Sequence, residues 1–395
     1  MKTVSIIGAG MGPQTLTAQA LEELAQADLL LGAPRLLAMF AGLGKTASAA
    51  CAPEQVAAQV RRQAEQRCVI LVSGDTGFYS GAEGIAKALG DYRVRLIPGI
   101  SSLSYFFSRL GLPWQDAAVV SCHGRQANLA DTVRRHALTF ALTGQNLPEL
   151  GACLVTAGFG SLRLHQGQDL GTGQERIISL TAADLVRAEP AALSVLLVEN
   201  PGYDPRLRRG IPDGEFLRAG PPLTKAEVRA ACLAKLDPRP NDICWDIGAG
   251  SGSVTVEMAL SAYQGRVYAL DKNPEALSLA RENCRRFHIG NVLFQAGSAP
   301  EALADWPAPD CAFIGGGGPR LPEITALILG KNPGARIVAN LIALESLNAA
   351  LSAFEAQGLA PEIVQIAVAR NKKAGGVNLM IAQNPVYIIS GGKHA

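Results

Sequence analysis

Charge of one sign is what this 395-residue chain has least of: 36 Lys and Arg stand against 34 Asp and Glu, a formal net charge of +2. A broad polyanion-binding surface, and with it a nucleic-acid partner, is therefore not expected, while a small anionic ligand stays compatible with the balance. Long hydrophobic runs are missing too. No apolar stretch approaches the ~20 residues that span a bilayer, so no membrane partner is expected. Met1-Lys2-Thr3-Val4 runs straight into a strand pattern without a leader-like segment, and the expectation is a cytoplasmic protein. The eight cysteines (Cys51, Cys68, Cys122, Cys153, Cys232, Cys244, Cys284, Cys311) contain no C-x-x-C pair and no Cys–His ligand pattern. They read as buried, reduced thiols, with no metal site expected. What the chain does have is 48% hydrophobic residues, 42 Gly and 23 Pro. That content excludes disorder and suits an α/β protein of two or three domains with many tight turns.

A seam divides it. Asn200–Pro222 holds five Pro and four Gly and lacks both helical and strand periodicity. Before the seam, strand-like runs at Val4–Ile7, Val69–Ser73, Val94–Ile97, Ala118–Ser121, Thr139–Leu142 and Ser194–Val198 alternate with amphipathic stretches. After it the alternation is cleaner, with strands expected at Ile243–Ile247, Val267–Leu270, Val292–Gln295, Cys311–Ile314, Arg336–Ala339, Ile363–Val368 and Val386–Ile389. Seven strands with helices between them imply a doubly wound sheet. The expected domains are 1–203 and 221–395, joined by a linker at 204–220.

The second half opens its sheet with Asp242-Ile243-Cys244-Trp245-Asp246-Ile247-Gly248-Ala249-Gly250-Ser251-Gly252-Ser253, a strand entering a glycine turn and then a helix. Alternate glycines let the backbone approach a ligand, and the helix start offers unpaired N–H groups. A dinucleotide fingerprint needs Gly at 253, where Ser253 stands. Val267–Leu270 ends in Asp271, whose carboxylate can accept from both hydroxyls of a ribose. D-x-G-x-G-x-G with Asp271 resembles the class I S-adenosylmethionine (SAM) methyltransferases, a Rossmann-like seven-stranded fold. The resemblance implies cofactor contacts at Gly248, Ala249, Gly250, Ser251, Gly252 and Asp271, and at Ser298 and Ala299 in the loop after the third strand. Pro222-Leu223-Thr224-Lys225-Ala226-Glu227-Val228 reads as a helix start with a Thr224/Glu227 capping box. It also resembles the opening of the decarboxylating methyltransferases of corrin biosynthesis, which implies that Thr224 touches SAM.

In the first half, Gly8-Ala9-Gly10-Met11-Gly12-Pro13 fails as a dinucleotide loop, because Pro13 takes the third glycine position. With Ser73-Gly74-Asp75-Thr76-Gly77-Phe78-Tyr79-Ser80 and Ile97-Pro98-Gly99-Ile100-Ser101-Ser102 it resembles the tetrapyrrole methylase family, a fold of two α/β subdomains. SAM contacts are then implied at Gly8, Gly10, Gly74, Asp75, Phe78, Pro98, Gly99, Ser101 and Ser102. Thr76 departs from that family's G-D-P, which removes a fixed φ from the loop. Ser101 also reads as a plain helix cap, and His123 as a solvated turn residue, with a catalytic histidine as the alternative.

The fusion resembles the two-domain corrin methyltransferases. That resemblance implies an anionic tetrapyrrole (precorrin) substrate, precorrin-6B or its cobalt form. The first half would methylate C5; the second would methylate C15 and release CO2 from the C12 acetate, each half with its own SAM. A homo-oligomer is expected. No catalytic acid or base is assigned. Substrate-carboxylate candidates are Gly315, Gly316, Gly317 and Arg320, where Gly315–Gly318 form either an anion nest or a loop without one. Arg370, Lys372 and Lys373 read equally as a substrate clamp or a solvated run. Two other classes stay open: a nicotinamide oxidoreductase, opposed by Ser253 and Pro13, and a SAM sensor without a second pocket.

Overall fold

The computed structural model describes residues 3–392 apart from 64–66, 125–126, 192, 207 and 317. Five short strands open the chain: β1 (Thr3–Gly8), β2 (Leu29–Gly32), β3 (Thr46–Ala49), β4 (Cys68–Val72) and β5 (Arg93–Ile97). They make a wholly parallel sheet in the order β3-β2-β4-β1-β5. A parallel sheet is covered on both faces, so its strands must be apolar on both; Ile6, Ile7, Leu31 and Ile70 are all fully buried.

A second sheet follows, built from β6 (Ala118–Ser121), β7 (Leu138–Thr143), β8 (Arg163–Gln168), β9 (Arg176–Thr181) and β10 (Ser194–Glu199) in the order β6-β7-β10-β8-β9. Only the β6–β7 pair is parallel. The sequence pattern misses β2, β3, β8 and β9. In β8 the reason is visible: Arg-Leu-His-Gln-Gly-Gln looks like a loop, yet Leu164–Gly167 are buried. Neighbouring strands satisfy its imidazole, Glu199 at 2.6 Å and Ser179 at 2.9 Å.

The third sheet contains β11 (Ile243–Ile247), β12 (Arg266–Asp271), β13 (Val292–Ala296), β14 (Cys311–Ile314), β15 (Arg336–Leu341) and β16 (Glu362–Ile366). A separate hairpin follows, β17 (Ala369–Ala374) and β18 (Val377–Ala382), and then β19 (Val386–Gly391). The order is β13-β12-β11-β14-β15-β19-β16, with β19 inserted antiparallel between β15 and β16. All seven expected strands of this sheet are present; the hairpin, whose strands are polar or solvent-facing, is an addition.

The seam is anchored at both ends. Asp204 is held by Arg134 of the first half: its N–H donates to the Arg134 carbonyl at 2.7 Å, and the Arg134 guanidinium donates to the Asp204 carbonyl at 3.2 Å. From Gly210 the chain already belongs to the second half. Ile211 and Phe216 are buried in that half's core beside Val228 and Met258, and Leu217 N–H donates to Asn283.

Candidate functional sites

Three segments far apart in the first half's sequence meet at the ends of β1, β4 and β5. Gly10 and Gly74 pair as an isolated bridge, their N–H groups reaching each other's carbonyls at 3.0 and 3.3 Å. Asp75 ties the second segment to the third: one carboxylate oxygen accepts from Gly77 N–H at 2.8 Å and the other from Gly99 N–H at 3.1 Å. Side chains are excluded where the loops cross. A Cβ on Gly99 would lie 2.3 Å from the Gly74 carbonyl oxygen, and one on Gly8 would lie 2.6 Å from that same atom. Ser101 Oγ accepts from Ser104 N–H at 3.1 Å and caps the helix Ser102–Leu110. Between these loops and the second sheet lies a cavity of about 470 Å³, lined by Gly10 and Ser102 and also by Met11, Arg35, Tyr79 and His123.

In the second half the glycine loop follows β11. Gly248 and Ala249 N–H both donate to Leu270 O, at 2.8 and 2.9 Å. Asp271 sits at the end of β12 with one oxygen on Gly250 N–H (2.8 Å) and the other on Asn273 N–H (2.9 Å). Its carboxylate thus shapes the loop while keeping lone pairs for a further donor. Gly248 holds φ +86°, and a Cβ there would meet Gly315 O at 2.5 Å, so the first and fourth strand-end loops touch backbone to backbone. The Pro222–Thr224 segment lies alongside, with Pro222 O accepting from Ser251 N–H at 3.3 Å. Gly297, Ser298 and Ala299 follow β13 at the same carboxyl edge, joined through Gly297 N–H to Asp271 O at 3.1 Å. Behind the loop Asp246 is fully buried. Thr255 Oγ1 donates to one of its oxygens, and the other has no partner among the described residues. Burial, with the Asp271 charge adding and the Thr255 bond opposing, pushes this carboxyl up to about 7.

Comparison with known proteins then decides the family. Residues 3–186 match the Tetrapyrrole (Corrin/Porphyrin) Methylases and residues 215–393 match the Precorrin methyltransferase domain. A precorrin-6Y C(5,15)-methyltransferase (decarboxylating) from Sinorhizobium sp is 32% identical over 387 residues, 95% of this chain and 92% of that protein. The chain belongs to the precorrin-6Y C(5,15)-methyltransferase (decarboxylating) family. The second half alone is 46% identical to a probable cobalt-precorrin-6B C(15)-methyltransferase (decarboxylating) of Pyrobaculum calidifontis, over 46% of this chain and 94% of the relative. A crystal structure of a precorrin-6y C5,15-methyltransferase from Geobacter metallireducens GS-15 is 39% identical, covering 47% of this chain and 97% of the other, with TM-score 0.44.

Members of this precorrin methyltransferase family use SAM as methyl donor. Several expectations are corrected. Of the first half's candidates Gly10 and Ser102 line the cavity, together with Tyr79 and Ser80, while the Phe78 ring packs on Phe140 and the core around Leu103. The Thr224/Glu227 capping box is absent. Helix Ala226–Leu236 begins after Lys225 without a side-chain cap, because Asp213 takes the Ala226 N–H at 2.9 Å and Glu227 pairs with Arg370. Arg320 pairs at the surface with Glu301 (2.8 and 2.6 Å) and Glu323 (2.5 Å). Gly315 N–H donates to Ile247 O at 2.8 Å and is withdrawn from any nest. Gly316 and Gly318 adopt φ of 111° and 50°, and Gly317 lies outside the described residues. Arg370 is partly exposed and bonds Asp213 at 2.9 Å and also Glu227, whereas Lys372 and Lys373 are exposed on the hairpin.

Cys51 is exposed and Cys153 half-buried, against the expectation of uniformly buried thiols. Asp242, Cys244 and Cys311 cluster within 4.8 Å. Arg336 already pairs with Asp242, and the hydrogen bond with Cys311, together with burial, pushes the Cys244 thiol up. Arg35 is the residue that sequence reasoning missed at the first site, and His123, read there as a turn residue, lines the same cavity. Only the fold brings their positive or proton-bearing groups to the cavity, and no local pattern signals that.

Proposed function

We propose that the chain methylates precorrin-6B, or its cobalt form, at C5 and C15 and removes CO2 from the C12 acetate. The first half serves C5; the second serves C15 and the decarboxylation. Each half binds one SAM. The single observation behind this is a pair of separate, complete loop sites on two sheets in one chain. The relative that matches the second half alone, and whose name carries C15 methylation and decarboxylation, supports the division of labour.

In the first half SAM contacts Gly8, Gly10, Gly74, Asp75, Pro98, Gly99, Ser101 and Ser102, with Arg35 and His123 at the substrate's side of the cavity. In the second half it contacts Thr224, Gly248–Gly252, Asp271, Ser298 and Ala299. At each site a ring carbon with enamine character attacks the sulfonium methyl. The new C–C bond forms as the S–C bond breaks, S-adenosylhomocysteine leaves, and the carbon sheds a proton. In-line placement supplies the acceleration, so no strong base is required. Decarboxylation breaks the bond between the acetate methylene and its carboxylate. The electron pair enters the macrocycle, and a proton then replaces CO2. Gly316 and Gly318, at the carboxyl edge beside the glycine loop, are the groups placed to orient that acetate.

The proposed functional units are 1–203 and 221–395 with 204–220 between them, the part of that connection from Gly210 onward packing on the second unit. No helix among the described residues is long and apolar enough to cross a membrane, and the proposed location is the cytoplasm. Self-association is proposed through the hairpin β17–β18, which exposes Val377, Leu379, Met380 and Ile381. Mass spectrometry of purified protein with precorrin-6B and SAM tests the reaction. The product should gain two methyl groups and lose one CO2; a product with either change missing refutes the assignment.

A further inference from the structure

The two halves meet along a defined contact. Phe159 stacks on His288 with ring centroids 4.2 Å apart and planes 11° from parallel. His288 Nδ1 donates to the Ala157 carbonyl at 2.9 Å, from a backbone held at φ +57°. Asn128 Nδ2 donates to the Tyr263 carbonyl at 2.9 Å, and the Arg135 guanidinium lies over the Tyr263 ring at 4.6 Å. Backbones pack closely as well: a Cβ on Gly158 would lie 2.9 Å from Arg285 O, and one on Gly290 would lie 3.0 Å from the Ala130 Cβ.

The position of this contact within each sheet matters. Helix Ser253–Ser261 starts at the glycine loop and runs back to deliver Tyr263 to the opposite edge of the third sheet. Helix Pro274–Arg286 starts just after Asp271 and does the same for His288. The five residues of β11 between those edges span roughly 16 Å at ~3.3 Å per residue. In the first half, helix Leu147–Thr156 leaves the cavity side near Thr143 and runs about 15 Å, at ~1.5 Å per residue, before reaching Ala157 and Phe159. None of the residues lining the cavity is among these contact residues. The second half's site therefore lies at the sheet end turned away from the surface that joins the halves, whereas in the first half the contact begins at Asn128, five residues after cavity-lining His123.

We propose that the singly methylated tetrapyrrole is released into solvent between the two methylations, the contact between the halves acting as a brace and not as a conduit. This rests on the reading that each half performs its own methyl transfer. A direct handover would need the two carboxyl-edge sites to face one another. Here a whole sheet depth lies between the second half's site and the contact. The polycarboxylate rim of the intermediate makes a hydrated, soluble species of it.

The full chain tests this without alteration. Precorrin-6B in excess over enzyme receives one molar equivalent of SAM, and the solution is separated from protein by rapid filtration and weighed by mass spectrometry. A singly methylated tetrapyrrole should appear free in the filtrate during the first turnovers, with the doubly methylated product following after a lag. Half the substrate doubly methylated and half untouched, with no free intermediate, overturns the proposal. Absence of any methylated product overturns the reading beneath it and this inference with it. A second arm loosens the brace with Phe159→Ala and His288→Ala together. Both methylation rates and the amount of free intermediate should be unchanged while the seam becomes easier to cut with protease. Loss of the second methylation in that variant would mean that the contact guides the intermediate, which also overturns the proposal.

Discussion

Asp246 shows how one residue can carry a pH signature for a whole half of the chain. Its carboxyl is raised to about 7 because it is fully buried behind the glycine loop, with one oxygen unpartnered among the described residues. In the unfolded chain it titrates near 4, about the ordinary aspartate value. Between those two values the folded state holds a proton that the unfolded state has released. The stability contributed by this group is therefore full below about pH 4, declines as pH rises, and is level above about 7. Asp246→Asn keeps the shape and an acceptor for Thr255 but has nothing to titrate. The difference in unfolding free energy, variant minus parent, should climb between about pH 4 and 7 and then flatten. Denaturant unfolding across a pH series without added SAM reads it, and a difference that does not change with pH would refute the buried-proton account. The acidic position before the glycines was legible in the sequence; its missing second partner was not, since that depends on what packs behind the strand.

At the scale of elements, Arg229 is the tie that turns part of the seam into structure. It is fully buried, its Nε bonds Glu257 at 2.5 Å, and its remaining donors reach Asp213 and the carbonyls of Thr224 and Ile211. Glu257 in turn accepts from Gly210 N–H at 2.7 Å and Ile211 N–H at 2.9 Å, and the Arg229 guanidinium stacks over Phe216 at 4.8 Å. Removing one partner of a buried pair leaves the other charge uncompensated, at a cost of about 3–5 kcal/mol. Arg229→Met should destabilise the second half by that order in a denaturant titration. Arg229→Met with Glu257→Gln should recover part of the loss, because the stranded charge is gone. Equal losses in the single and double variants would contradict the pair. The same element shows where sequence reading stops. Glycine loops and apolar parallel strands announce themselves locally, so the three loops of the first half and all seven strands of the third sheet were expected. The Thr224 cap was misread because the Ala226 N–H finds Asp213, thirteen positions upstream, and strands such as β8 are polar by composition yet satisfied by neighbours across the sheet.

For the whole molecule, the question is where one half ends and the other begins. Proline and glycine content marks all of Asn200–Pro222 as a break, but the contacts narrow it. Asp204 is held by Arg134 of the first half, while Arg208 lies over Phe287 of the second, 5.8 Å from its ring centroid, and Gly210 and Ile211 are held by Glu257. Few positions are left to act as a hinge. A fragment starting at Gly214 would discard Ile211, the Asp213 carboxylate and both amides that Glu257 accepts from. Burying a side chain such as Ile211 is worth about 1.5–3 kcal/mol, and losing a partner to buried charges adds to that. Against a typical total of about 5–15 kcal/mol this is a large fraction. A fragment 205–395 should therefore fold cooperatively and bind SAM in calorimetry. The fragment 214–395 should unfold at clearly lower denaturant and bind more weakly in proportion to its unfolded fraction. The complementary fragment 1–204 keeps its own anchor and should bind SAM by itself. Identical unfolding midpoints for the two C-terminal fragments would place residues 205–213 outside the second half's cooperative unit and restore the longer linker.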